Sequence, residues 1–120
     1  MKIKSISNVN ETGIEVNGSY QPGLTSNRIY NVLGMDHDSY RILADDGEPY
    51  MYPKELFEVI DDNIPSNWVR REFEDGEYYL DPPELSELYF YEDYFDGVPS
   101  VVERFRMYLK SNNFLNKDCN

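Results

Sequence analysis

The sequence predicts a mainly β (α+β) fold, in which a small barrel of short strands is extended by an added hairpin and followed by one C-terminal helix. A phrase of fourteen residues occurs twice, at 46–59 and 75–88, and each copy reads as strand, turn and strand followed by a proline-led turn. Eleven tyrosines suit half-buried strands, whereas the last apolar run, 101–109, has helical spacing. A chain of 120 residues is predicted to be one domain, with the barrel at 1–60, the hairpin and an aromatic-acidic segment at 61–97, and the helix at 98–111.

The repeated phrase is structural at the positions that its two copies share. Eight of the fourteen positions are identical, among them an Asp-Gly pair, a tyrosine, a proline and a leucine. Gly47 and Gly76 can supply the positive φ of a tight hairpin turn, and Pro53 and Pro82 preset φ at the start of a 3₁₀ turn. The phrase therefore predicts one local unit used twice, in which the first copy holds the barrel and the second, more acidic copy faces a partner.

The strands of the barrel follow from β-rich runs between turn residues. Isoleucine content predicts a strand at Lys2–Ser7, and the polar stretch 8–27 predicts a loop with a short strand at Ile14–Val16. Further strands are predicted at Arg28–Met35, Ser39–Ala44, Pro49–Tyr52 and Phe57–Ile60, with a 3₁₀ turn at Pro53–Leu56. Short strands joined by tight turns, with one 3₁₀ turn before the last strand, are typical of a small SH3-like barrel.

The second copy of the phrase predicts an added hairpin instead of a second barrel. A polar linker at 61–67 precedes strands at Trp68–Glu74 and Glu77–Leu80 and a 3₁₀-like turn at Pro82–Leu85. No further upstream strands accompany this copy, so we expect it to extend the sheet of the first. Trp68, the single tryptophan, is predicted to be a core anchor or a plug between the two copies, and the alternative is an interface hot spot.

One apolar stripe predicts the C-terminal helix. Apolar residues recur at i, i+1, i+4, i+7 and i+8 from Val101, which places them on one helix face. Pro99 suits the first helical position, and the basic residues of the later turns suit the C-terminal end of the helix dipole. Residues 116–120 are predicted to form a loose tail.

The formal charge of −12 is concentrated in one part of the chain. Residues 72–96 carry ten acidic side chains and no basic one, whereas 1–71 have a net charge of −4 and 97–120 a net charge of +2. Nucleic acid and anionic membranes need a basic face, so neither is an expected partner. The chain has no long apolar run and no recognisable signal peptide, and its only cysteine cannot form an internal disulfide, which together predict a cytoplasmic protein.

The sequence predicts no enzymatic chemistry, cofactor or metal. Nucleophilic catalysis needs a nucleophile and a base, but the only histidine, His37, lies in a predicted turn between two aspartates, and the only cysteine, Cys119, lies near the end of the chain. A single histidine and a single cysteine are too few for a zinc site. The acidic clusters at 45–48 and 92–96 lack the ligand spacing of a calcium loop.

Segment 72–96 is the candidate binding surface. In one interpretation its eight aromatic residues pack on the core while its carboxylates are merely solvated. In the other, carboxylates and tyrosine hydroxyls project together and dock a basic protein, since carboxylates pair with arginine and tyrosine supplies rigid contact area. The contacts in the second interpretation are Glu74, Asp75, Glu77, Asp81, Tyr91, Glu92, Asp93 and Asp96.

About a third of the chain resembles small bacterial SH3-like proteins. The residues that carry the resemblance are Leu24–Leu33, Tyr40–Ile42, Asp46–Glu48, Tyr50–Pro53 and Leu56–Val59. Acidic proteins of this size and style also resemble immunity proteins that are encoded beside bacterial toxins. That resemblance implies a one-to-one inhibitory partner, often a nuclease, and it carries over no individual site residue.

These observations together predict a non-enzymatic acidic binding protein. The favoured function is that of an immunity protein or antitoxin, which would neutralise a basic toxin domain through segment 72–96. The alternative is a structural or regulatory interaction module, for example a phage-associated one, that uses the loops of the barrel.

Overall fold

The structure, a computed structural model, describes residues 1–6, 13–16 and 19–114 of the chain. These residues fall into two compact units, the first ending at Asp81 and the second beginning at Pro82. The boundary separates the added hairpin from the aromatic-acidic segment, which the sequence had grouped together at 61–97. The predicted tail at 116–120, with Cys119, lies outside the described residues.

Nine strands lie among the described residues of the first unit. The predicted strands are confirmed, with ends that shift by at most two residues, and Ser19–Gln21 forms a further strand in the stretch 8–27 that was predicted as mostly loop. The strands are β1 (Lys2–Ser5), β2 (Ile14–Val16), β3 (Ser19–Gln21), β4 (Ile29–Asp36), β5 (Ser39–Leu43), β6 (Pro49–Pro53), β7 (Phe57–Asp61), β8 (Val69–Glu72) and β9 (Tyr78–Asp81). The predicted 3₁₀ turn lies at Lys54–Leu56, directly before β7.

Seven of these strands form one antiparallel sheet that is not closed. Its order is β6-β5-β4-β1-β7, β9 pairs with both β4 and β8, and β2 and β3 form a separate hairpin. Within the described residues no strand joins β6 to β7, so the predicted barrel is not confirmed, although the mainly β class is. β7 lies at an edge of the sheet, and Val59 and Ile60 on it are each about half exposed, at 47% and 49%.

Strand β4 is the organising strand of the sheet. Its first residues, Ile29–Asn31, pair with β1, whereas the stretch from Val32 to Met35 pairs with β5. At its far end Met35 and Asp36 also pair with β9, which attaches the added hairpin to the sheet as predicted. Eight residues of one strand therefore hold three neighbours.

The core of the first unit is rich in tyrosine. Phe57 packs edge-to-face against Tyr30, Tyr40 and Tyr52, with ring centroids 6.0–6.5 Å apart. The hydroxyl of Tyr30 donates to Asp45 at 2.6 Å, so a buried ring keeps its polar atom satisfied. Trp68 packs partly buried against this core, as predicted.

The two copies of the repeated phrase fold alike up to the end of their 3₁₀ turns. Gly47 and Gly76 have φ of 83° and 87°, and Pro53 and Pro82 have φ of −57° and −55°. The two copies differ after this turn, because Phe57 continues as a strand while the matching Ser86 has a helical backbone. The Ser86 hydroxyl donates to the Pro83 carbonyl at 3.0 Å. Loss of the aromatic side chain removes the packing that draws the first copy into the sheet.

Up to Phe114, where the described part of the second unit ends, this unit contains a 3₁₀ turn and two helices. The turn is Pro83–Leu85, and the helices are α1 (Phe90–Phe95) and α2 (Pro99–Ser111). Helix α2 confirms the predicted C-terminal helix and buries Val101, Phe105, Tyr108 and Leu109 from its apolar stripe. Helix α1 was not predicted. No helix among the described residues is long and apolar enough to cross a bilayer.

Candidate binding surface

The eight residues singled out from the sequence are divided between the two units. Glu74, Asp75 and Glu77 are exposed in the turn between β8 and β9, and Asp81 ends β9 in a partly buried position. The other four, Tyr91, Glu92, Asp93 and Asp96, lie on α1 or directly after it. Each unit therefore carries its own candidate surface.

The β8–β9 turn holds its carboxylates outward on a locally fixed backbone. The N–H of Glu77 donates to Asp75 Oδ1 at 3.0 Å, and the N–H of Gly76 donates to the Phe73 carbonyl at 3.1 Å. The N–H of Phe73 donates to the Glu77 carbonyl at 2.9 Å, which closes the hairpin. Because these bonds fix the turn, the three acidic side chains of 74–77 extend into solvent from a defined base.

A second acidic turn, between β4 and β5, lies beside the first. Pairing of Asp36 on β4 with Tyr79 on β9 brings the two turns together. His37 Nε2 is 3.1 Å from Asp38 Oδ2 and 3.7 Å from Glu77 Oε1, so the histidine lies between carboxylates of the two turns. We define the acidic tip as Asp36, Asp38, Glu74, Asp75 and Glu77.

An exposed aromatic pair borders the acidic tip. Phe73 and Tyr79 are 46% and 47% exposed, and their rings meet edge-to-face with centroids 5.5 Å apart and planes at 89°. Tyr79 lies directly across from Asp36 on one side and from Arg71 on the other. The outer face of the hairpin therefore offers rigid aromatic area next to carboxylates.

The inner face of the hairpin is fastened by cations stacked on tyrosine. Arg70 Cζ lies 4.1 Å from the centre of the Tyr78 ring, and Lys54 Nζ lies 5.7 Å from the same ring. Lys54 also donates to the Tyr78 hydroxyl at 3.3 Å and lies 5.2 Å from the Tyr40 ring. Arg70 is further paired with Glu72 at 2.6 Å. Two basic residues are thus used to hold the hairpin, which leaves the acidic tip on the outside.

Asp81 has a structural role at the junction of β4 and β9. A side-chain carbon at Gly34 would overlap Asp81 Oδ1, so the carboxyl occupies the space that glycine leaves open. Burial raises the pKa of Asp81 to about 6, the charges of Arg41 and Arg71 oppose that rise, and Asp36 adds to it. Direct contact of Asp81 with a partner stays a prediction.

The candidate surface of the second unit combines acids with unusually exposed apolar residues. Tyr91 is partly buried, with its ring against Phe90 and Phe105, so its aromatic face is used within the unit. Glu92 and Asp96 are exposed, whereas Asp93 is partly buried. The apolar side chains that accompany them in solvent are Leu88 (60%), Tyr89 (63%) and Phe95 (50%).

The second unit also carries a shallow groove of about 430 Å³ beside α2. Its lining includes Glu84, Arg104, Met107 and Tyr108. Burial, with the nearby Glu84 charge adding to it, raises the pKa of Tyr108 to about 12, so its hydroxyl remains protonated at neutral pH. The remaining lining residues are Ser100, Glu103 and Ser111.

No group of three or more metal-ligating side chains of a kind that could hold an ion occurs in residues 1–6, 13–16 and 19–114. The acidic tip presents carboxylates, which carry negative charge and accept hydrogen bonds. The acidic tip can attract and pair with cationic groups of another macromolecule.

Sequence reasoning found three of the five residues of the acidic tip. Asp36 and Asp38 were missed because they join it through the pairing of β4 with β9, which brings together positions more than forty residues apart. His37 was assigned correctly to a turn, but its position beside Glu77 was not foreseen. Alternation along β8 and β9 could have placed Phe73 and Tyr79 on one face, since residues two apart on a strand share a face.

Comparison of the chain with protein-family models, with curated proteins and with solved structures gave no match.

Proposed function

We propose that the protein is a non-enzymatic binding protein that docks a basic protein partner through the acidic tip. The observation that supports this best is the convergence of two acidic turns around an exposed aromatic pair. Aromatic residues are enriched at protein interfaces, and a carboxylate beside them can pair with an arginine of the partner. The specific role proposed is that of an immunity protein or antitoxin, which neutralises a basic toxin domain, such as a nuclease, in the cytoplasm.

Charge supports this proposal because the acidic tip gathers five carboxylates on two neighbouring turns. Asp38 and Glu77 have side chains that are 77% and 56% exposed, and His37 lies between them. A single-sign surface accelerates the encounter with a partner of opposite charge, and the acceleration falls as salt screens it.

The experiment uses a basic domain encoded directly beside the gene of this protein as the purified partner. Binding is measured by surface plasmon resonance at about 50 mM and about 500 mM sodium chloride, and growth rescue is measured by co-expression with that domain. The test variant is Glu74→Gln/Asp75→Asn/Glu77→Gln, in which the amide oxygen introduced at position 75 can still accept the turn hydrogen bond. The matched control is Glu55→Gln/Glu58→Gln/Asp62→Asn, which removes the same charge from other exposed positions of the first unit.

We expect the test variant to associate roughly tenfold more slowly than the wild type at low salt, with little change in dissociation. The control variant should associate at close to the wild-type rate. Equal association rates for both variants, or affinity that does not change with salt, would show that the acidic tip is not the docking surface.

A second candidate function is a regulatory interaction module that pairs through the edge of the sheet. The observation that favours it is the exposure of Val59 and Ile60 on β7, because an edge strand can accept another strand. Val59→Lys/Ile60→Lys would abolish partner binding in this case, whereas the acidic-tip variant would bind normally.

We also propose that the first unit is an opened SH3-like arrangement. The order β6-β5-β4-β1-β7, with a 3₁₀ turn before β7, supports this relation. An experimental structure with a different order of these five strands would contradict it.

A further inference from the structure

The Phe73–Tyr79 pair is exposed to solvent, although the hydrophobic effect favours burial of large aromatic side chains. Nearly half of each ring is exposed, and both rings stand on the outer face of the hairpin, away from the core. The edge-to-face geometry keeps part of each π face open, since one ring presents its edge to the other. Two exposed rings that pack against each other form an apolar corner beside the turn of the hairpin.

The surroundings of this corner select a cation as its occupant. Aromatic faces carry negative charge density, and Glu77 lies opposite Phe73 at the end of the hairpin while Asp36 lies opposite Tyr79. Arg71 lies across from Tyr79 on its other side, so two carboxylates and one guanidinium flank the corner and its local charge is negative. An anion or a neutral apolar group would meet these carboxylates unfavourably. A cation gains from both the ring faces and the carboxylates.

We infer that the corner receives an arginine side chain of the basic partner. A guanidinium is planar, so it can stack on a ring and at the same time donate N–H groups in its plane to a carboxylate. A lysine ammonium is compact and strongly hydrated, and it gains less from a flat ring. This inference rests on the proposed function and adds to it the side chain that the partner must present.

The experiment uses two peptide probes of equal charge, hexaarginine and hexalysine, with the full chain. Dissociation constants are measured by fluorescence anisotropy at about 50 mM salt for the wild type, Phe73→Leu and Tyr79→Leu. Tyr79→Phe keeps the ring and should bind as the wild type does. The matched control is Tyr89→Leu, which removes an even more exposed aromatic ring from the second unit. Circular dichroism verifies that every variant is folded.

We expect each leucine variant to weaken hexaarginine binding by roughly two- to fivefold and hexalysine binding by less than twofold. Replacement of Phe73 by phenylalanines with one, two and three ring fluorines should weaken hexaarginine binding progressively, because fluorine withdraws charge from the ring face while its apolar area is kept. Equal losses for both peptides, a flat fluorine series, or an equal loss in Tyr89→Leu would overturn the inference.

The acidic-tip variant separates this inference from the proposed function. If Glu74→Gln/Asp75→Asn/Glu77→Gln weakens both peptides while the leucine variants bind normally, the docking surface stands and the arginine site is wrong. If neither kind of variant changes binding, the acidic tip is not a docking surface and both proposals fail.

Discussion

At the scale of single residues, the contact of Asp81 with Gly34 joins the added hairpin to the main sheet. The carboxyl of Asp81, at the end of β9, occupies the space next to Gly34 that a side chain would otherwise fill. Burial raises the pKa of this carboxyl, and the positive charges of Arg41 and Arg71 lower it. A carboxyl that is partly removed from water in this way makes stability depend on pH.

Asp81→Asn should raise the free energy of unfolding at neutral pH by about 1–2 kcal/mol, because it removes a carboxylate that burial destabilises. The gain is smaller than the pKa shift of Asp81 implies, since the side chain is partly exposed to solvent. The folded pKa of about 6 lies above the ordinary value of 3.8, so the folded protein holds this proton more tightly than the unfolded chain. The resulting stabilisation of the wild type is fully present below about pH 4 and is lost as the pH rises to about 6.

Urea unfolding at several pH values between about 4 and 7 measures this effect. The difference between Asp81→Asn and the wild type should be smallest at the acid end and constant above about pH 6. Asp75→Asn, at an exposed turn position, is the control for loss of one carboxylate. Parallel profiles for Asp81→Asn and the wild type would show that the carboxyl is fully solvated.

Gly34→Ala should lower the free energy of unfolding by about 1–3 kcal/mol, because its Cβ would overlap Asp81 Oδ1 and lie 3.3 Å from the Leu80 carbonyl oxygen. The same substitution in an Asp81→Ala background should cost less, since the overlapping atom is gone. The two changes are compared in a double-mutant cycle by urea unfolding. Strict additivity would mean that the two side chains do not meet.

At the scale of elements, the added hairpin depends on Tyr78 for its attachment. This ring lies between Arg70 and Lys54 on the inner face, while pairing with β4 involves only Met35 and Asp36. Because few backbone hydrogen bonds and one stacked ring attach β8 and β9, we expect these two strands to have the lowest local stability in the sheet.

Tyr78→Leu should therefore speed hydrogen exchange of the β8 and β9 amides by roughly tenfold, while the amides of β5 and β6 keep their wild-type rates. Tyr79→Leu, which removes the neighbouring ring from the outer face, serves as the matched control and should leave exchange almost unchanged. Uniform acceleration across the whole sheet in Tyr78→Leu would contradict this local role, since it would report global destabilisation.

The elements that sequence predicted well are those fixed by neighbouring residues. Both hairpin turns follow from Asp-Gly pairs, both 3₁₀ turns from proline, and α2 from one apolar stripe. Helix α1 was missed because six residues are too few for a clear period and because Tyr89 before it adopts the left-handed conformation, with φ of 65°. Closure of the sheet and assembly of the acidic tip depend on distant strand pairing, which no local pattern encodes.

At the scale of the whole molecule, negative charge dominates both units. Residues 1–81 carry 16 acidic and 7 basic side chains, and residues 82–120 carry 7 acidic and 4 basic ones. The excess favours solubility and long-range attraction of a basic partner, but it makes the folded chain repel itself. Binding of a cationic protein would relieve that repulsion, so partner affinity and folding stability are coupled.

Added sodium chloride should raise the melting temperature by about 2–5 °C between about 10 mM and about 300 mM, because it screens this self-repulsion. Glu74→Gln/Asp75→Asn/Glu77→Gln, with three fewer negative charges, should melt at a higher temperature in low salt and gain less from added salt. Differential scanning calorimetry measures both. A melting temperature that falls with salt would indicate that ion pairs outweigh repulsion.

The identical tripeptides Asp46-Gly47-Glu48 and Asp75-Gly76-Glu77 turn the chain in the same way, each with an aspartate oxygen accepting the N–H of the glutamate at 3.0 Å. Intrinsic amide chemistry is the same at both turns, since the same neighbours flank the same glycine. Any difference in their exchange rates must come from the surroundings alone. In a complex, the amide exchange rates of one turn can therefore serve as the internal reference for the effect of a bound partner on the exchange rates of the other.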